Sequence, residues 1–186
     1  MPKQIHDPDV YKAALETILA NGYAGATTKM IAEAAGINEA TLFRRYGSKA
    51  ELIAAAVGHG VPAGEGQIPT YTGDLTADLT AIVQAYQASS DIHARLFPLI
   101  MSEMSRYPEL RQTMAGPMRF MQTVGQILVQ YQTDGRLLQE DPIRAVQGLL
   151  GPVIVCGMVS QANPDIPMPD FDLPFHIRTY IKGRTP

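Results

Sequence analysis

At 186 residues, 46% of them hydrophobic, the chain has room for one or two compact domains and enough apolar side chains for a buried core, which excludes global disorder. A formal net charge of −3 excludes bulk electrostatic attraction to nucleic acid but leaves room for a local basic surface; the single cysteine, Cys156, excludes an intrachain disulfide and a cysteine-rich metal site. No charged leader opens the chain, and its longest nonpolar run, Gly148 to Val159, is shorter than the ~20 residues that span a bilayer, so a cytoplasmic protein is expected.

Asp7-Pro8 offers an N-cap followed by a first-turn proline, and Val10, Tyr11, Ala14, Leu15, Ile18 and Leu19 form a helical stripe that ends at Asn21-Gly22. Thr27 then caps a helix of about two turns, stopped by Gly36, whose expected buried stripe is Ile31, Ala34 and Ala35. Asn38 caps the next helix, with Leu42 and Tyr46 on its inner face and Glu39, Ala40, Thr41, Phe43, Arg44 and Arg45 turned outward. Gly47 ends it, and Ser48-Lys49-Ala50-Glu51 has the Ser-x-x-Glu form of a capping box before the apolar run Leu52 to Val57.

Two short helices about a glycine-containing turn, the second with a small, polar and cationic face, are the layout of a helix-turn-helix. Ala40 and Thr41 let the backbone approach base edges, while Arg44 and Arg45 can reach guanine or phosphate. The plainer reading of the same pattern is a helical hairpin with a solvated charged face. Residues 1–60 carry six Lys and Arg against six acids, and four of those six cations fall between Lys29 and Lys49, where phosphate contacts would be needed.

From about Val10 to Val57 the chain resembles the DNA-binding domain of the TetR family of bacterial transcriptional regulators. The matching residues are Asn21-Gly22-Tyr23, Thr27-Thr28-Lys29-Met30-Ile31-Ala32, Ala35-Gly36-Ile37, Thr41-Leu42-Phe43, Tyr46, Ser48-Lys49 and Leu52. The resemblance covers the first third of the chain; the remainder matches in length and helical character only. It implies a homodimer that reads a palindromic operator in double-stranded DNA and is released by a small-molecule effector bound in a helical second domain. It assigns Thr27, Thr28, Ser48 and Lys49 to phosphate, and Lys29, Asn38, Ala40, Thr41, Arg44 and Arg45 to the groove. Phe43 stands where the family commonly has tyrosine and is expected to meet sugar or a thymine methyl.

After Val57, Gly58, Gly60, Pro62, Gly64, Gly66, Pro69 and Gly73 mark a linker, a departure from the family, whose fourth helix runs on to the second domain. The expected division is a DNA-binding domain at 1–58, a linker at 59–73 and a helical effector-binding and dimerisation domain at 74–186. Helices are expected from Asp74 to Ser90, from Asp91 to Ser105 with Pro98 kinking or dividing it, and from Pro108 to Thr133 with a bend at Gly116-Pro117. Two more follow, from Asp141 through Met158 and from Pro174 to Gly183, with a second linker over Asn163 to Asp170. There is no repeat and no strand pattern, so the fold class is all-α.

His6, His59, His93 and His176 are scattered, and the chain lacks a zinc-binding spacing, a phosphate-binding glycine loop and a Gly-x-Ser-x-Gly elbow. No metal, no cofactor and no enzymatic role are expected. Met101, Met104, Met114, Met118 and Met121 are ordinarily core filler; their functional reading is an adaptable pocket for an apolar or aromatic effector, near Phe97, Met101, Met104, Met118 and Met121. Gln122, Thr123, Gln126 and Gln130 would be its polar anchors. Dimerisation is expected through the helices after Asp141 and Pro174, and transmission through the first and fourth helices rather than through Gly64 and Gly66. The resulting expectation is a repressor; the alternative is an all-helical small-molecule binding protein or enzyme that does not use its helix-turn-helix.

Overall fold

The computed structural model describes residues 6–60, 70–88, 91–162 and 169–186, and among these the chain is helical, with no strand. In chain order the elements are α1 (Asp7–Gly25), α2 (Thr28–Ala35), α3 (Glu39–Tyr46), α4 (Lys49–Gly60), α5 (Leu75–Gln87), α6 (Asp91–Glu103), a 3-10 helix (Pro108–Met114), α7 (Ala115–Thr133), α8 (Pro142–Ala162) and α9 (Leu173–Lys182). The linkers expected at 59–73 and 163–170 fall largely on 61–69 and 163–168, outside the described residues, as do Gly64 and Gly66.

Packing groups the chain into two compact units, one of residues 1–61 and 90–117, the other of 62–89 and 118–186. This grouping differs from the division expected at 58 and 74, because α6 and the 3-10 helix pack with α1 and α4. Within the first unit, α1 and α4 each serve two cores. On one side Val10, Ala14 and Leu52 meet Ile31, Ala32 and Leu42 of the two short helices. On the other, Leu15, Ile18, Ile53, Ala56 and Val57 meet Leu96 and Ile100 of α6 and Leu110 of the 3-10 helix. Helices as short as α2 and α3 gain little from intrinsic propensity, so burial of Ile31 and Leu42, at about 1.5–3 kcal/mol per large apolar side chain, is what holds them.

Several local details depart from the sequence-based expectations. Asp7 is the first residue of α1 rather than its cap, and His6 occupies the cap position without a side-chain bond. The helix does not stop at Asn21-Gly22 but breaks at Gly22, whose φ of 69° and ψ of 168° no β-carbon-bearing residue readily adopts, and resumes for one short turn. In α2 the buried pair is Ile31 and Ala32, and Ala34 is exposed: the inward face is centred between Ile31, Ala32 and Ala35, which turns Ala34 to solvent. Pro98 lies inside α6 without dividing it. The single helix expected over 108–133 is two elements, a 3-10 helix opened by Pro108 and then α7, with Pro117 in its first turn, where the missing amide costs no helical bond.

The second unit is built from α5, α7, α8 and α9. Asp74, Asp141 and Asp172 cap α5, α8 and α9 by accepting from the amides of Ala77 (3.0 Å), Ile143 (2.9 Å) and Phe175 (2.8 Å). Leu79, Ile82, Val83, Val124, Leu128, Leu149, Leu150 and Ile177 are among its buried apolar residues. The buried Tyr180 donates its hydroxyl to the Ala145 carbonyl at 2.9 Å, and a His176 ring nitrogen lies 2.8 Å from the Leu149 carbonyl, so α9 is pinned along α8. Arg184 pairs with Glu140 at 2.6 Å and lies over the Tyr180 ring, and a β-carbon at Gly148 would collide with its guanidinium.

A carboxylate is buried inside this unit. Asp78 accepts from the Thr72 amide (2.7 Å), the Thr72 hydroxyl (2.6 Å) and the hydroxyl of the buried Tyr131. Burial pushes its carboxyl up, and these donors outweigh that and hold it below the ordinary carboxylate value. Burial, then the bond to Asp78, raises the Tyr131 hydroxyl.

Candidate nucleic-acid interface

The joint between α2 and α3 is a Schellman motif. Gly36 sits at φ 66°, ψ 33°, its amide reaches the Glu33 carbonyl at 3.1 Å, and the Ile37 amide reaches the Ala32 carbonyl at 3.0 Å. Ile37 packs on the small core beneath the two helices, the apolar contact that accompanies this motif. At the other end of α2, the Thr27 hydroxyl accepts from the Met30 amide at 3.1 Å, and Asn38 opens α3 by accepting from the Ala40 amide at 2.8 Å. The Thr28 hydroxyl donates to Glu39 at 2.6 Å, tying the first turn of α2 to the first turn of α3.

That frame fixes which face of α3 is presented. Leu42 is buried and Tyr46 half-buried, while Ala40, Phe43, Arg44 and Arg45 are exposed and Thr41 is half-buried. Gly47 then turns the chain at φ 76°, ψ −71°, with the Glu51 carboxylate filling the space a β-carbon would need. Ser48 accepts from the Glu51 amide at 3.1 Å and donates to the Glu51 carboxylate at 2.9 Å; its own amide bonds to the Tyr46 carbonyl, so only half of the expected reciprocal box forms.

The cations of this surface divide into two groups. Lys29 and Arg44 are exposed and have no charged partner among the described residues. Arg45 instead pairs with Asp7 at 2.7 Å, and Tyr46 donates its hydroxyl to the same carboxylate. The Tyr46 bond, with Arg45 next, lowers the Asp7 carboxyl below its ordinary value; burial and the bond to Asp7 raise the Tyr46 hydroxyl. Lys49 turns toward the end of α1, donating to the carbonyls of Tyr23 at 2.6 Å and Ala26 at 2.9 Å. Burial depresses its ammonium and the charge of Glu109 opposes that. The hydroxyl of Thr28 and the guanidinium of Arg45 are thus already engaged, while Thr27, Asn38 and Ser48 act as helix caps.

Asp7, Tyr23, Glu39 and Glu109 organise this surface through contacts that the sequence reading did not assign to them. Their partners lie far away in the chain, Asp7 to Tyr46 being separated by 39 residues and Tyr23 to Glu109 by 86, so no helical or turn spacing marks them. The residues expected to line an effector pocket are shared between the two units. Phe97, Met101 and Met104 belong to the first, where Met104 packs on the core shared by α1, α4 and α6; Met118, 52% exposed, and the half-buried Met121 belong to the second. Gln122, Gln126 and Gln130 are exposed. Among the described residues no group of three or more His, Cys, Asp or Glu is placed to hold a metal ion.

Residues 10–56, which contain the whole of this frame, match the family model described as bacterial regulatory proteins of the tetR family, and residues 77–156 match the C-terminal domain of AefR-like transcriptional repressors. The chain belongs to the TetR family. Similar curated relatives include an uncharacterised HTH-type transcriptional regulator of Mycobacterium tuberculosis, 28% identical over 113 residues, which are 61% of this chain and 55% of that protein. The regulator YvkB of Bacillus subtilis is 30% identical over 111 residues, 54% of this chain and 58% of YvkB. The chain thus aligns with little more than half the length of these relatives. Among solved structures, a Clostridium perfringens fatty acid metabolism regulator superimposes with a TM-score of 0.72 at 16% identity, covering 93% of this chain and 94% of that one. FadR, a fatty acid degradation regulator of Bacillus halodurans, does so with 0.69 at 18% identity, covering 98% and 95%. At such identities the likeness is one of TetR fold.

Proposed function

We propose that the chain is a sequence-specific DNA-binding transcriptional regulator that acts as a cytoplasmic homodimer. The observation that carries this reading is the presented face of α3. A Schellman joint and two side-chain caps hold a short helix whose Leu42 and Tyr46 point inward while Ala40, Phe43, Arg44 and, at its flank, Lys29 face solvent. Such a face fits the major groove, with Arg44 reading guanine edges, Lys29 alongside it, and the caps at Thr27 and Ser48 meeting phosphate. The fit of the second half to a repressor-family domain supports repression as the sign of control; in this reading the releasing ligand is a small apolar or aromatic effector.

Support for dimerisation comes from α8 and α9. The window Pro142–Ser160 has a mean hydropathy of 1.6, is long and apolar enough to cross a membrane by composition, and is only 28% buried within the chain. Ile143 is 65% exposed, Val155 57% and Phe175 of α9 56%. The opposite face of α8 carries Leu149 and Leu150 into the unit's core and takes Tyr180 and His176 on its carbonyls, the situation of a helix built into a folded unit rather than one surrounded by lipid. A second copy laid on this surface would bury it, and two-fold symmetry then demands an operator whose half-sites lie ~34–36 Å apart or a multiple of that.

The test is selection of fragments of the source genome on the purified protein, followed by anisotropy titration of the enriched duplex against a scrambled one. Enrichment of a palindrome bound far more tightly than the scramble is the expected result. Equal, weak binding to both would overturn the regulatory reading and favour a helical ligand-binding protein.

A further inference from the structure

Lys49, the first residue of α4, is more constrained than a surface phosphate contact needs to be. Its ammonium donates to the Tyr23 and Ala26 carbonyls at 2.6 and 2.9 Å and lies 4.1 Å from the centroid of the Tyr23 ring. A lysine ammonium has three donors, so one is left over. The carbonyls it takes are at the end of α1, past the break at Gly22, where orphan acceptors and the negative end of the helix both favour a cation.

Tyr23 is itself clamped from outside the helix-turn-helix. It is buried, its hydroxyl donates to Glu109 at 3.1 Å, and its ring lies against Tyr107 with centroids 4.9 Å apart. Burial first, then Glu109, pushes that hydroxyl up to about 12, so it stays a donor at every physiological pH. Tyr107 and Glu109 stand at the start of the 3-10 helix, beyond the matched DNA-binding residues yet in the same compact unit.

We propose that Tyr23, held by Glu109 and Tyr107, is a positioning residue for DNA binding: it seats Lys49 so that two donors close α1 and the third is kept for a DNA phosphate. This rests on the DNA-binding reading given above. The 3-10 helix thereby sets the strength of a sequence-independent contact, and any change that displaces it alters affinity without altering which bases are read. Glu109 adds a compensating charge for an ammonium that burial otherwise disfavours.

The experiment measures binding of the selected duplex and a scrambled duplex across a salt series, for the full chain and for Lys49→Met, Tyr23→Phe, Glu109→Ala and the double variant Tyr23→Phe/Lys49→Met. One lost phosphate contact lowers the slope of log affinity against log salt by about 0.9. Lys49→Met should show that loss on both duplexes. Tyr23→Phe, which keeps the ring, and Glu109→Ala, whose side chain is exposed, should each show part of it, with the ratio between duplexes unchanged. The double variant should bind no more weakly than Lys49→Met alone. A Tyr23→Phe slope equal to that of the parent, whatever the thermal stability, overturns the proposal, as does full additivity in the double variant. Failure of the parent chain to distinguish the duplexes would instead remove the functional reading beneath it.

Discussion

In the first unit two polar ties lie at the rim, between neighbouring helices: Arg45 with Asp7 and Thr28 with Glu39. In the second, the carboxylate of Asp78 is sealed inside and takes three donors from Thr72 and Tyr131. Water competes with rim contacts and screens them, so each stabilises by little and can be exchanged for a contact with DNA. A buried carboxylate has no alternative partner, and its loss strands the hydroxyl of the buried Tyr131, although the exposed Thr72 can turn to water. The first arrangement suits a surface that must trade partners, and the second a scaffold that must not.

The largest expected effect lies on the buried side. Asp78→Ala should destabilise the chain by about 3 kcal/mol in urea unfolding, since stranding the buried Tyr131 hydroxyl costs about 1–3 kcal/mol and losing the bonds from Thr72 to a charged carboxylate costs about 1.5–3 kcal/mol, contributions that do not add fully. A loss below about 1 kcal/mol would mean that water replaces the carboxylate, and the contrast between the units would collapse. The sign of its pH dependence follows from the lowered folded value. Asp78 stabilises fully above the unfolded carboxyl value of about 3.9, and that stabilisation is lost as pH falls from there through the folded value. Asp78→Asn should therefore remove an acid-side decline in stability that the parent chain shows.

Next in size is Arg44→Ala, which should weaken the selected duplex by ~1–3 kcal/mol and the scrambled one much less if Arg44 reads a base. Equal losses on both would make it a phosphate contact. The smallest effect is expected at Asp7. Its pair with Arg45 is well exposed on both sides, so Asp7→Asn should change thermal stability by less than about 1 kcal/mol. Freed of its partner, Arg45 becomes available to phosphate, and binding of any duplex should strengthen with a salt slope steeper by about one. An unchanged slope would show that Arg45 already leaves Asp7 when DNA binds.

What could be read from the chain beforehand follows the reach of each interaction. Thr27, Gly36, Asn38, Gly47, Asp74 and Asp141 act within a few residues of themselves, as caps or as left-handed turns, and each signal was visible as a local pattern. Pro108 and Pro117 were visible too, but a proline permits either a bend or a new start, and only packing of the 3-10 helix on α1 and α4 decides for the latter. Asp78 was hidden because a lone acid in an apolar stripe has no sequence mark of its partners; Tyr131 lies 53 residues away. Arg45 and Lys49 were assigned to DNA from their motif positions, where nothing local announces Asp7, Tyr23 or Glu109.

The double duty of α1 and α4 bears on how this chain can be cut and recombined. Leu96, Ile100 and Leu110 cover the second faces of both helices, so a fragment ending after α4 would carry Leu15, Ile18, Ile53 and Val57 naked into water. A chimera that borrowed only the first sixty residues from a relative would set one protein's α1 and α4 against another's α6. The transplantable module is therefore discontinuous: the helix-turn-helix travels intact only when residues 90–117 travel with it.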